Sequence, residues 1–149
     1  MNKIEWCLSQ KTGIRIIEPN DNLSQQYVKS SEENLDMMGK VSGKWKSITA
    51  YYACYEAFYA LLQKIGIKCE IHDCTLELLN LIEGFDDKLK DFMIELKRER
   101  IDVQYYLKTP KPLDENQVKE FVLSCKSKIS SITNDEIVSI RGKIKLKKD

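Results

Sequence analysis

The sequence predicts an all-α protein, an up-and-down bundle of four to five helices in a single domain over residues 1–149. Three observations predict it. Apolar residues recur at helical spacing in several long segments. Those segments are joined by short connections carrying glycine, proline or a capping residue, which makes successive helices antiparallel neighbours. Strand–helix alternation and a glycine-rich phosphate loop are both missing, which argues against nucleotide-binding α/β folds.

Residues 1–20 read as an extended N-terminal arm. Gly13 and Pro19 punctuate it, Ile14–Ile17 can pair as a short edge, and Trp6 is the expected anchor in the core. The first helix starts at Asn20 or Asp21, either of which caps free backbone N–H groups, and stops at Gly39. A second helix runs from about Gly43 to Lys64 and closes on Gly66. Its apolar residues cover most of its girth, with Ala50, Ala53, Ala57 and Ala60 among them. Such a helix is either central or faced by a partner subunit. A short third helix, capped by His72 or Asp73, carries Leu76, Leu79 and Ile82. The fourth spans about Asp86 to Leu107 and is ended by Pro110 and Pro112. Asp114 caps a fifth, with Val118, Phe121, Val122, Cys125 and Ile129 at helical intervals. Residues 134–149 form a basic C-terminal tail, helical or extended, in which Gly142 favours a break.

The chain has 24 basic and 23 acidic residues, so no net field draws it to nucleic acid or to an anionic membrane. No apolar run is long enough to span a bilayer and the opening residues lack a secretion signal, so the expectation is a cytoplasmic protein with no membrane partner. Cys7, Cys54, Cys69, Cys74 and Cys125 are odd in number and scattered, which predicts reduced thiols rather than a disulfide framework.

The segment AYYACYEAFYALLQKIGIKCEIHDCTLELL, Ala50 to Leu79, resembles the aromatic- and alanine-rich central helix and following loop of HEPN domains. KRERIDVQYY, Lys97 to Tyr106, resembles that family's arginine-bearing helix, and WCLSQKTGIRIIEPNDNLSQQYV its arm and first helix. Together these cover roughly residues 6–130. The resemblance implies a helical homodimer, often in toxin–antitoxin, defence or nucleotidyltransferase-linked systems, with some members cleaving RNA without metal. Active members set an arginine and a histidine at short spacing on one helix. After Arg98 the matching positions hold Val103, Gln104 and Tyr105; after Arg100 they hold Tyr105, Tyr106 and Leu107. The ribonuclease histidine is absent.

What remains on that helix is Arg98, Asp102 and Tyr105, a strip on one face with the tentative catalytic roles of gripping phosphate, orienting it and supplying a hydroxyl. Lys97 and Arg100 join Arg98 as phosphate- or nucleotide-binding candidates. The bland alternative is a structural ion pair between Arg98 and Asp102. His72 is the only histidine; Cys69-x-x-His72-x-Cys74 offers at most an incomplete zinc site, so no metal or cofactor is expected. A carboxylate-metal bundle would need further histidines. Tyr51, Tyr52, Tyr55, Phe58 and Tyr59 stack bases only if exposed, and tyrosines at this spacing more often bury their rings. The run Arg141, Lys143, Lys145, Lys147, Lys148 is either a solvated end or a weak phosphate contact. Two functions are therefore expected: a homodimer binding RNA or a nucleotide, or a non-enzymatic module docking a nucleotidyltransferase-type partner.

Overall fold

The computed structural model describes residues 1–148. Its architecture is all-α, with seven helices rather than four to five and one small sheet: α1 (Lys3–Ser9), β1 (Arg15–Ile16), α2 (Asp21–Met38), α3 (Lys44–Ile65), β2 (Ile67–Lys68), α4 (His72–Glu77) continued by a 3₁₀ turn (Leu78–Leu81), α5 (Asp87–Tyr105), α6 (Glu115–Ser131) and α7 (Asn134–Lys148). The two helices beyond the expected number are α1 and α7.

The long helices begin where capping chemistry sets them. Asn20, Asp86 and Asp114 each accept a hydrogen bond from the backbone N–H three residues on, at Leu23, Leu89 and Gln117. Replacing Asp86 by alanine frees the Leu89 N–H and is expected to destabilise the protein by about 1 kcal/mol, read as a lowered urea midpoint.

Helix α3 is the axis of the fold and packs against α2, α5 and α6. Its alanines at 50, 53, 57 and 60 are fully buried. Without bulk there, α2 lies close enough for Ser24 and Ser31 to donate hydroxyl hydrogen bonds to the Ala60 and Ala53 carbonyls, at 2.7 and 2.6 Å. Phe58, Leu61, Leu62 and Ile65 supply the core from the same helix. The apolar girth of α3 is thus covered within one chain and needs no twin subunit to explain it.

The expected extended arm is instead led by a helix. Asn2 and Glu5 form a reciprocal capping box that starts α1. Ile4 and Cys7, not Trp6, are its buried residues; Trp6 is 39% exposed, with Lys3 over its ring. The Ile14–Ile17 run does supply a strand, β1, which pairs antiparallel with β2 through Arg15–Lys68 and Ile16–Ile67.

The thiol expectation is also corrected. Cys7 and Cys74 form a disulfide between α1 and α4, while Cys54, Cys69 and Cys125 are free and buried. The spacing of cysteines along the chain gave no hint of a pair 67 residues apart.

At the other end, α7 runs through Gly142 without a break. Arg141 leaves the basic run: its Nη1 donates to the carbonyls of Ile17 (2.6 Å), Gly66 (2.9 Å) and Ile65 (3.2 Å). Lys143, Lys145, Lys147 and Lys148 are exposed. Among the described residues, no helix is long and apolar enough to cross a membrane.

Candidate functional site

The most unusual side chain in the molecule is Arg100, on the inner face of α5. It is 5% exposed, yet among the described residues no carboxylate pairs with it. Its Nη1 donates to Gln104 Oε1 at 3.2 Å, and its buried Nε has no partner. Aromatic faces surround the guanidinium: its carbon lies 4.6 Å from the ring centre of Tyr51 and 5.6 Å from those of Tyr52 and Tyr105. Ring quadrupoles attract a cation, but they do not neutralise its charge.

His72, the first residue of α4, also packs against Tyr51, with ring centres 5.8 Å apart. Its ring stacks on Tyr55, with centres 4.2 Å apart, and its Nδ1 is 2.7 Å from the Tyr51 hydroxyl. Helix α3 builds this arrangement because residues four apart lie one above another, so Tyr51, Tyr55 and Tyr59 rise in one column. Tyr55 in turn hydrogen-bonds Thr75 of α4 at 3.1 Å.

Electrostatics fix the protonation states. Burial, and then the neighbouring Tyr55, push the Tyr51 phenol well above its ordinary range, with Arg100 partly opposing. Tyr51 therefore keeps its proton and shares a hydrogen bond with His72 Nδ1. Burial, then the charges of Arg100 and Lys97, hold His72 below its ordinary 6.5, with Asp73 opposing. The lowered value favours the neutral imidazole at pH 7.

A stability consequence has a definite sign. A histidine whose folded-state pKa is depressed leaves stability intact above about 6.5 and removes it as pH falls from there toward the folded value. Between pH 7.5 and 5.5 the urea midpoint of the wild type is expected to fall more than that of His72→Gln. Parallel pH profiles for the two proteins would contradict this environment for His72.

Next to this pocket lies a groove of about 450 Å³ between α4, the 3₁₀ turn and α5. Leu76, Ile94 and Ile101 line it together with Lys90, Lys97, Arg98 and, from α1, Lys3. Lys97 holds Asp73 at 2.7 Å, which pulls the Asp73 carboxyl below its ordinary value, first through that hydrogen bond.

The structure therefore divides the residues expected from sequence. Lys97 and Arg98 reach the groove; Arg100 and Tyr105 meet in the aromatic pocket. Asp102 joins neither, since its carboxylate pairs with Lys108 at 3.7 Å. Arg98 and Asp102 do not form the structural ion pair weighed against function, because Arg98 bonds Glu95 at 2.9 Å. Tyr51, Tyr55, Phe58 and Tyr59 are buried, so they do not offer open faces to bases. The incomplete zinc motif is lost, because Cys74 is bonded to Cys7.

Two contributors, Tyr51 and His72, read from sequence as a base-stacking ring and as a zinc ligand or cleft-lining residue, not as partners of Arg100. His72 lies 28 positions before Arg100 and on another helix, so a search for both groups along one helix passes over it. The available signal was the single histidine directly after the aromatic helix.

Comparison of the chain with protein-family models, with curated proteins and with solved structures finds no match. The functional reading rests on the geometry.

Proposed function

We propose that this chain is a HEPN-type protein that binds RNA or a nucleotide through phosphate, acting as a homodimer in a toxin–antitoxin or defence-type system. The observation that carries the binding is Arg100, a buried guanidinium with a free donor and no anionic partner. Its Nε is sealed from solvent, so a phosphate oxygen reaches it only when the surrounding Tyr52 and Tyr105 rings move aside; it then gains a charge-assisted hydrogen bond and neutralises the cation. The exposed Tyr105 ring is available to a base. Lys97 and Arg98 lie along the groove for further phosphates, which would have to displace their present partners Asp73 and Glu95 in a lining that also holds Glu77.

The test is binding of a fluorescent oligoribonucleotide in low salt with EDTA present. Arg98→Ala is expected to weaken binding about threefold to tenfold, the range of an exposed phosphate contact, with a shallower salt dependence. Absence of binding by the wild type would remove the reading.

A second reading is favoured by the end of α5. Tyr106 and Leu107 are 70% and 76% exposed, and Leu107 takes a φ of +53°, a conformation unusual for leucine. An apolar tip held in this way suits a non-enzymatic module docking a nucleotidyltransferase-type protein. Co-purification of such a partner, lost on Leu107→Asp while RNA binding is absent, would favour it.

A further inference from the structure

We infer that the Cys7–Cys74 disulfide is a redox-controlled clasp that holds α1 as one wall of the groove, so that reduction by a dithiol frees α1 and weakens binding of phosphate-bearing ligands there. The binding part rests on the function proposed above; the clasp does not.

Helix α1 is 7 residues long, well short of what sustains a helix alone in water; besides the disulfide it is held by Ile4 and Leu8 against the core and by the Ile14 N–H bond to the Cys7 carbonyl at 3.0 Å. Its helix–helix contacts are with α4 and α7. The covalent bond reaches α4 at Cys74, directly after Asp73 and two residues beyond His72. From α1, Lys3 lines the groove opposite Lys97, and its charge helps lower the Asp73 carboxyl. Releasing α1 therefore removes one cation from the groove and loosens the start of α4, the residue run that carries His72 and Asp73.

The chemistry balances with a dithiol as reductant. One thiolate of the dithiol attacks a sulfur of the pair, the Cys7–Cys74 bond breaks, and a mixed disulfide forms with one chain sulfur. The second thiol of the reagent displaces that sulfur, leaving two protein thiols and an oxidised, cyclic disulfide. Two electrons pass from the dithiol to the protein. Cys7 and Cys74 are both fully buried, so attack follows an outward movement of α1. A ligand that holds Lys3 in the groove stabilises the closed position of α1, lowers the open population that the dithiol attacks, and so slows reduction.

The experiment uses the full chain in oxidised form, after dithiothreitol, and as the double variant Cys7→Ser/Cys74→Ser. Hydrogen exchange is followed by mass spectrometry, and binding by a fluorescent oligouridylate in low salt. Residues 3–9 are expected to exchange at least about tenfold faster in the reduced and double-serine proteins, as a locally unfolding segment does, with α6 unchanged. Oligouridylate affinity falls about threefold to fivefold, the range of losing one phosphate contact, and saturating oligouridylate slows reduction. Equal protection of residues 3–9 in all three forms would overturn the clasp. So would loss of protection throughout α3 and α6, which would make the bond a general staple, or equal affinity in forms whose α1 is freed. Binding by none of the three forms would count against the phosphate reading, and the exchange of residues 3–9 would still decide the clasp.

Discussion

Replacing Gly66 by alanine is expected to destabilise the protein by about 3 kcal/mol or more. Gly66 ends α3 with a φ of +93°, where an L-residue is disfavoured by about 1–2 kcal/mol. The added Cβ would also run into Arg141 Nη1 and the Ile17 carbonyl. Arg141 would have to withdraw from three carbonyls, and hydrogen bonds to a charged group contribute about 1.5–3 kcal/mol. Gly142→Ala is the matched control: it lies inside α7 with nothing near its missing side chain, and it should stabilise by about 0.5–1 kcal/mol. Urea unfolding of both variants measures the contrast. A Gly66→Ala protein within about 1 kcal/mol of wild type would mean that the Arg141 contact contributes little.

Arg100→Met is expected to separate folding from binding. Methionine retains the apolar stem of the side chain while removing a buried cation that lacks a carboxylate. Its loss forfeits a cation–π interaction with Tyr51 of about 0.5–2 kcal/mol and the bond to Gln104. Exchange of a buried charge for an apolar group of similar size is often neutral or stabilising. Stability should therefore stay level or rise by about 1 kcal/mol. Binding should behave oppositely. Removing a desolvated charge that meets a ligand's charge costs about 2–5 kcal/mol, so oligoribonucleotide affinity should fall roughly a hundredfold. Lys97→Ala, which removes a cation already paired with Asp73, should weaken binding by far less. An Arg100→Met protein that binds normally would locate the phosphate elsewhere.

Much of the fold was legible along the chain because its signals are local. Asn20, Asp86 and Asp114 cap helices through bonds to residues three positions on, and Gly39 and Gly66 end them at the positions expected. Helix α3 could be read as central from its unbroken apolar girth. The features that escaped are those set by distant partners. Helix α1 starts with a local capping box, but its disulfide to α4 joins residues that no periodicity relates. Gly142 reads as a break, yet the helix through it is held by Ile140 and Ile144 in the core and by Arg141 against distant carbonyls. The site divides in the same way. Lys97, Arg98, Arg100 and Tyr105 were visible as one run on one helix. The distinction that matters among them, which arginine is buried, depends on what α3 and α4 bring against that helix.

Arg141 also bears on the order in which the molecule is made. Its Nη1 reaches Ile17, 124 positions earlier, and the turn that ends α3. During synthesis the carbonyls of Ile17, Ile65 and Gly66 have emerged long before residue 141 leaves the ribosome, and until then only Gly66 has a chain partner, the Ile17 N–H, while water must serve the other two. A nascent chain stalled short of that residue is therefore expected to carry a fraying β1–β2 corner open to proteases, which full elongation shuts.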